Sequence, residues 1–141
     1  MQKGNEMKKI TVDATLENLG VIIDFIDKEL ERIECSEIIQ MQIAIAVEEI
    51  YVNIAHYAYN PEVGVATIVC TINEDTSEVI IQFLDSGKPY DPLKKKDADI
   101  TLSAEEREIG GLGILMVKKS MDFVDYRYED GKNILTITKL T

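Results

Sequence analysis

Two polar residues one helical turn apart give the first sign of chemistry in this sequence of 141 residues. Glu49 and Asn53 border an apolar stripe, and at about 100° per residue they stack one above the other on a helix, whereas Glu48 points away. A carboxylate next to a carboxamide can hold a metal–phosphate group together with a water or a hydroxyl. A solvated helix face is the plainer interpretation of this pair taken alone.

The run DSGKPYDP, from Asp85 to Pro92, is a second candidate because it directly follows a predicted strand. A carboxylate at a strand end can accept a hydrogen bond from the amino group of a nucleobase. Gly87 has no Cβ, so the backbone can approach a flat ring closely there. The alternative interpretation is a plain turn.

The third candidate is the run Gly110-Gly111-Leu112-Gly113, which opens a predicted helix. Glycines let the backbone crowd a phosphate, and a helix N-terminus offers free N–H groups and a positive dipole end. No GK[ST] follows, so the run is not a Walker P-loop, and the spacing and βαβ context of a dinucleotide fingerprint are also missing. A structural turn remains the alternative.

Apolar residues at gaps of three and four residues predict two long helices. The second of them carries Glu49 and Asn53. The first runs from Thr15 to about Glu34, with Asp13 or Thr15 as its N-cap. The second runs from Ser36, its predicted N-cap, to about Tyr59.

Stretches rich in Val, Ile and Thr predict strands, most of them in hairpins. The predicted strands are Lys8 to Val12, Val65 to Asn73, Val79 to Leu84, Phe123 to Tyr128 and Asn133 to Leu140. A short helix from Ile114 to about Met121 precedes the last two. This order predicts an α+β fold, a two-layer sandwich with helices on one face of a mixed, mostly antiparallel sheet. We expect one domain over 1–141, with a flexible end at 1–7 and a mobile lid at about 88–110.

Composition narrows the classes of function. The chain has 26 acidic and 15 basic residues and a net charge of −11, so we expect no direct nucleic-acid binding. No apolar run has the length of a membrane span, and 1–9 are too polar for a signal peptide, so we expect a cytoplasmic protein without a membrane partner. The cysteines, Cys35 and Cys70, lack a CxxC spacing and are expected to be reduced thiols.

The order of the three candidates resembles the N, G1 and G2 boxes of the GHKL ATPase superfamily, whose Bergerat fold is an α+β sandwich. Within that superfamily, the short single-domain form of this chain resembles the anti-sigma-factor serine kinases of bacterial partner switching. DSGKPYDP is similar to the D-x-G-x-P-[FY]-D-P version of the G1 box, and GGLGILMVKKSMDFVDY is similar to the G2 stretch of those kinases. The resemblance runs from about Ala14 to Leu140.

The resemblance implies ATP and Mg²⁺ as cofactors. Glu49 would be the general base, and Asn53 would coordinate the Mg²⁺ that bridges the phosphates. Asp85 would recognise the adenine amino group, with Gly87 allowing the ring to approach. The phosphates would be cradled by the last part of the glycine run: Gly111, Leu112 and Gly113. These roles suit phosphoryl transfer, which depends on positioning and charge neutralisation.

Two departures from the family pattern stand out. His56 lies one residue earlier than the usual histidine, so we interpret it as a core or surface residue. Glu108-Ile109 stand where many relatives carry a basic residue, and the nearest lid cations are Arg107 and the run Lys94 to Lys96. This places the efficiency of phosphoryl transfer in question more than ATP binding.

Two functions follow from the resemblance. The first is an ATP-dependent serine/threonine protein kinase that phosphorylates an anti-anti-sigma (STAS) partner and sequesters a sigma factor. The second is a nucleotide-binding sequestration module of the same fold without kinase activity. The presence of both Glu49 and Asn53 favours the kinase, because a module that only binds needs neither. The low content of basic residues in the lid favours the sequestration module. A homodimer is also implied, and the strand from Lys8 to Val12 offers an edge that can join a partner.

Overall fold

The computed structural model describes residues 5–59, 62–94 and 111–141. The strands are β1 (Asn5–Asp13), β2 (Val65–Asn73), β3 (Glu78–Asp85), β4 (Phe123–Glu129) and β5 (Lys132–Leu140). The α-helices are α1 (Leu19–Arg32), α2 (Glu37–Tyr57) and α3 (Gly111–Ser120). Short 3₁₀ helices cover Leu16–Asn18 and Pro92–Lys94.

The five strands form one sheet in the order β1-β2-β3-β5-β4. Every pairing is antiparallel, so the sheet is more uniform than the mixed sheet that we expected. The last strand in the chain, β5, lies between β3 and β4. The α+β class and the order of elements are confirmed.

One face of the sheet is covered by the helices, because alternate residues of the strands point toward them. On β2 and β3 this alternation is regular, and every second side chain is buried. The central helix is α2, which contacts both α1 and α3. The apolar stripe that the spacing of α2 predicts is confirmed: Ile43, Ala46, Ile50 and Ile54 are buried, and Ile39 is half-buried against the core.

α2 begins at its predicted start, whereas α1 begins at Leu19 rather than Thr15, because Leu16–Asn18 form a separate 3₁₀ turn and Asn18 takes the N-cap position. The Ser36 hydroxyl accepts a hydrogen bond from Ile39 N at 3.3 Å, which confirms the predicted cap of α2. Thr15 precedes the first helical turn but makes no side-chain cap. That turn is instead held by Tyr51, whose hydroxyl donates to the carbonyls of Asp13 and Thr15 at 3.1 and 2.7 Å.

The first strand is longer than predicted. β1 includes residues 5–7, which we expected in the flexible end, because it pairs with all nine residues of β2. Glu6 also forms an ion pair with Arg32 of α1 at 3.0 Å. Backbone pairing and this ion pair hold residues 5–7 in the strand, although their polar sequence predicted a flexible end.

By length and composition alone, α2 could cross a membrane. In this fold it is the central helix of the core, with six buried side chains and with Glu48, Glu49 and Asn53 in its second half. The core helix of a globular domain can have the same length and the same apolar composition as a membrane span.

Both cysteines are free thiols, as predicted. Cys70 is buried in β2, and burial raises the pKa of its thiol to about 12. Cys35 is half-buried, and burial raises its pKa as well.

Candidate functional site

The second half of α2 carries the predicted base. Glu49 is half-buried, whereas Glu48 is exposed. Burial raises the pKa of Glu49, and the neighbouring charge of Glu48 raises it further. A carboxylate whose pKa is moved toward neutrality is better matched to proton transfer at physiological pH than an ordinary glutamate.

The fold brings Glu49 against the start of α3. A Cβ built on Gly113 would lie 2.0 Å from the Glu49 carboxyl carbon and 2.2 and 2.4 Å from its oxygens. A side chain at position 113 would therefore displace this carboxylate from its present position. The base and the glycine-rich helix start, which lie more than 60 residues apart in the sequence, share one site.

Asn53 lies one helical turn beyond Glu49 and is half-buried. Its amide oxygen is a ligand type that Mg²⁺ accepts, and Mg²⁺ is often held by one or two protein groups plus substrate phosphates and water. Within the part of the chain that the structure describes, no three acidic, His or Cys side chains converge on a metal site. A single amide oxygen of this kind fits a Mg²⁺ ion whose other ligands would come from phosphates and water.

Asp85 ends β3 and is 7% exposed. Its Oδ1 accepts hydrogen bonds from Gly87 N and Asn133 Nδ2, both at 2.9 Å. Among residues 5–59, 62–94 and 111–141, none donates to Oδ2. This oxygen is the acceptor that remains for a base amino group.

Gly87 has a second role that the sequence did not reveal. A Cβ at this position would lie 2.2 Å from the carbonyl oxygen of Ala58, just past the end of α2. Lys88 N donates to the same carbonyl at 3.2 Å. The glycine therefore allows the loop after β3 to pack on the end of α2, besides leaving room for a ring.

Tyr59 joins the same loop to the start of β2. Its hydroxyl donates to Val65 O at 2.6 Å and accepts from Ser86 N at 2.7 Å. A Cβ at Gly64 would lie 2.2 Å from the Tyr59 ring, so the ring also requires a glycine beside it. Sequence patterns gave no signal for Tyr59, because its partners are distant in the chain.

The predicted phosphate cradle and lid are only partly described. Gly111, Leu112 and Gly113 form the first turn of α3, which begins earlier than predicted. The predicted lid at 88–110 lies outside the described residues from 95 onward, as does Arg107. Its first part is tied to the body, since Tyr90 N donates to Asn133 Oδ1 at 3.1 Å and Leu93 packs on the core.

His56 is exposed near the end of α2 and contacts the ring of Tyr57, with the ring centroids 5.8 Å apart. The interpretation of His56 as a surface residue is confirmed.

The three predicted boxes thus follow the length of α2. Glu49 lies against Gly113, Asn53 follows one turn later, and Gly87, whose N–H donates to Asp85, lies against Ala58 just past the end of the helix. From residue 49 to residue 58 the helix rises about 13 Å, which suits an extended ligand with a base at one end and phosphates at the other. A carboxamide that can ligate Mg²⁺, a helix N-terminus and a carboxylate near one another can support phosphoryl transfer.

The antiparallel sheet, the helix layer on one face of it and the candidate motifs placed along α2 define an α+β sandwich domain. The chain belongs to the histidine kinase-like ATPase domain family, whose model matches residues 12–139.

Relatives within the family are protein kinases by name. The chain is 27% identical over 100 residues to the serine/threonine-protein kinase BtrW of Bordetella bronchiseptica, covering 71% of this chain and 70% of BtrW. It is 33% identical over 95 residues to the serine-protein kinase RsbW of Bacillus cereus, covering 64% of this chain and 58% of RsbW. The match thus spans little more than half of that RsbW.

Solved structures share the fold. One contains the RsbU and RsbW domains of a Mycobacterium tuberculosis protein, with a TM-score of 0.67 at 15% identity over 95% of this chain and 32% of that chain. Another is the SiaB–SiaC complex of Pseudomonas aeruginosa, with a TM-score of 0.57 at 16% identity over 94% of this chain and 89% of the other. At these identities the likeness concerns the fold alone.

Proposed function

We propose that this protein is an ATP-dependent serine/threonine protein kinase that also acts as an anti-sigma factor. The observation that carries the proposal is that the half-buried Glu49 lies against Gly113 at the start of α3, because a carboxylate with a raised pKa beside a helix N-terminus suits a general base next to bound phosphate. The names of the relatives BtrW and RsbW support the same activity.

In this proposal the acceptor serine or threonine hydroxyl gives its proton to Glu49 as its oxygen bonds to the γ-phosphorus. The bond from that phosphorus to the ADP oxygen breaks. Backbone N–H groups of Gly111 to Gly113 bind the phosphates, and Asp85 Oδ2 accepts from the adenine amino group. Asn53 would hold a Mg²⁺ ion, which would supply neutralisation of the phosphate charge.

The proposed partners are an anti-anti-sigma protein of the STAS type, as phosphate acceptor, and a sigma factor, as the protein that is sequestered. A homodimer in the cytoplasm, without nucleic-acid or membrane contacts, completes the proposal. The net charge of −11 supports the absence of nucleic-acid contacts. We propose that the segment from Lys88 to Gly110 closes over the phosphates, although most of it lies outside the described residues.

The decisive experiment compares Glu49→Ala with Glu48→Ala in phosphorylation of a candidate STAS protein with radiolabelled ATP. Glu49→Ala is expected to lower the rate by ~10²–10⁴, the usual contribution of a general base, and to leave ATP affinity nearly intact. Glu48→Ala changes the same charge on an exposed side chain and serves as the matched control. Equal, modest effects at both positions would overturn the kinase assignment.

The second candidate is a nucleotide-binding module that sequesters its partner without phosphorylating it. Its support is the sequence Glu108-Ile109, where relatives often have a basic residue that reaches the γ-phosphate. Wild-type protein that binds ATP and a sigma factor but transfers no phosphate to any STAS protein would favour the module.

A further inference from the structure

We infer that Asn133 is a positioning residue for base recognition, because it fixes Asp85 so that one carboxylate oxygen faces the nucleotide. The inference rests on the proposed nucleotide site and adds to it a residue on a different strand. Asn133 is the register partner of Asp85 in the β3–β5 pairing, and each of them is 7% exposed.

The donors and acceptors around Asn133 fix the orientation of its amide. Nδ2 faces three acceptors: Asp85 Oδ1 at 2.9 Å, Lys88 O at 2.9 Å and Gly87 O at 3.4 Å. Oδ1 faces two donors, Tyr90 N at 3.1 Å and the hydroxyl of Tyr126. The opposite orientation would set oxygen against three acceptors, so only one orientation satisfies the network.

This network forms hydrogen bonds with only one of the two carboxylate oxygens of Asp85. Its Oδ1 is occupied by Asn133 and by Gly87 N, which leaves Oδ2 as the acceptor for a ligand. The same side chain holds the carbonyls of Gly87 and Lys88, so it also shapes the loop that the base would approach. Asn133 has no polar capacity left for the ligand itself, and it therefore acts through Asp85.

Burial makes this arrangement effective. A carboxylate that is free to rotate would have to be ordered when the nucleotide binds, whereas one held in advance avoids that entropy cost. The expected result is selectivity for a base that carries an exocyclic amino group. One charge-assisted hydrogen bond of this kind corresponds to roughly tenfold to hundredfold in affinity.

The experiment measures, by calorimetry, the affinities of ATP and of purine riboside triphosphate, which lacks the 6-amino group. Wild type is expected to prefer ATP by roughly tenfold to hundredfold, and Asp85→Asn is expected to reduce that preference. Asn133→Leu is expected to lose at least about tenfold for ATP and less than about threefold for the analogue. A merely structural role would weaken both ligands by the same factor and would overturn the inference.

Asn133→Asp adds a second measurement, the pH dependence of ATP affinity, which a loss of packing alone would not change. The new carboxylate would face Asp85 Oδ1 and repel it at neutral pH, and a proton shared between the two would restore binding as the pH falls. ATP affinity of this variant is therefore expected to recover toward pH 5, and a flat pH profile would count against the inference.

The matched control is Asn73→Asp, which makes the same change at the end of β2. Asn73 Oδ1 accepts from the backbone N–H groups of Asp75 and Thr76 at 3.1 and 3.3 Å, and a carboxylate can accept from both. Its nucleotide affinity should match wild type. If wild type binds neither nucleotide, the proposed function fails, whereas equal losses in Asn133→Leu refute only the role of Asn133.

Discussion

Glu49 is more costly to ionise in the folded chain than in the unfolded chain, because burial and the charge of Glu48 raise its pKa above the ordinary value of 4.5. At a pH between the unfolded and the folded pKa of Glu49, the folded chain therefore still holds a proton that the unfolded chain has released. The free energy of unfolding falls as the pH rises through that window. A carboxyl group whose pKa is raised in this way lowers stability at neutral pH.

Glu49→Gln should remove this dependence. The variant is expected to be more stable than wild type above the folded pKa of Glu49, and the difference should vanish below about pH 4.5, the ordinary value. Chemical denaturation across pH measures it. Glu31→Gln removes the same charge from an exposed position on α1 and is the control. A stability difference that does not vary with pH would show that Glu49 has an ordinary pKa.

Gly113→Ala tests the contact between α3 and the base. The added Cβ would meet the Glu49 carboxyl group, which is the flexible end of a side chain, so the carboxylate is expected to move while the fold survives. Phosphoryl transfer should then fall on the order of a hundredfold, as small misplacements of reacting groups can cost. The change in unfolding free energy should stay within about 1 kcal/mol.

Gly20→Ala is the matched control for Gly113→Ala. It also adds a methyl group to a helical glycine, but a Cβ there meets nothing within 4 Å. It should raise stability by about 0.5–1 kcal/mol and leave phosphoryl transfer unchanged. Full activity in Gly113→Ala would mean that the present position of Glu49 is not needed for the reaction.

At the scale of elements, three separate devices hold the loop after β3. Gly87 lets the loop pack on Ala58, Tyr59 joins it to the start of β2, and Asn133 joins it to β5. The end of α2, the starts of β2 and β5 and the loop that follows β3 between them are thus joined to one another. The rigidity of this corner follows from its cross-links rather than from regular secondary structure.

Tyr59→Phe should weaken this corner. The change removes the hydroxyl that pairs Val65 O and Ser86 N, and it is expected to lower the free energy of unfolding by about 1–2 kcal/mol. Urea denaturation gives the value. Tyr57→Phe is the control, because the Tyr57 hydroxyl has no hydrogen bond within the described ranges, and it should change stability by less than about 0.5 kcal/mol. Equal losses in both variants would contradict the role of the Tyr59 hydroxyl.

These cross-links also show where prediction from sequence ends. The Ser36 cap and the burial of Ile43 and Ile50 were predictable, because each depends on neighbours a few residues away. Asn133 was not, because its importance depends on strand register across 48 residues. The length of β1 was missed for the same reason, since pairing with β2 offsets its polar composition.

The same limit applies to the site. Glu49 and Asp85 were identified from local motifs and from the family resemblance, but their neighbours were not. That Gly113 lies against Glu49 and that Gly87 lies against Ala58 depend on how α2 packs with α3 and with the loop after β3. Such contacts join distant segments, and periodicity carries no information about them.

At the scale of the molecule, the sheet face that is turned away from the helices carries exposed apolar side chains. The largest exposed fractions are 66% at Met7, 50% at Val65, 67% at Phe123 and 49% at Leu140. Phe123 and Leu140 lie near one edge of the sheet, and Met7 lies on the strand at the other edge. Exposed apolar side chains can contribute to association, so this face offers the proposed homodimer a surface in addition to the edge strand β1.

Phe123→Lys should therefore shift a dimer of about 32 kDa, twice the 15.9 kDa of one chain, toward the monomer. Light scattering at tens of micromolar measures the mass. Ile38→Lys is the matched control, since Ile38 is 69% exposed but lies on a helix. A wild-type mass near that of one chain would refute the dimer, and a dimer that Phe123→Lys does not weaken would place it elsewhere.

The position of β5 between β3 and β4 has a consequence for synthesis on the ribosome. β1, β2 and β3 leave the ribosome first and can pair in order, but β3 lacks its second neighbour until residues 132–140 emerge. The candidate site is also incomplete until then, because Asn133 belongs to that strand. Nascent chains stalled before residue 132 should be cut readily by protease, whereas released chains should resist, and equal resistance would show that the sheet closes without β5.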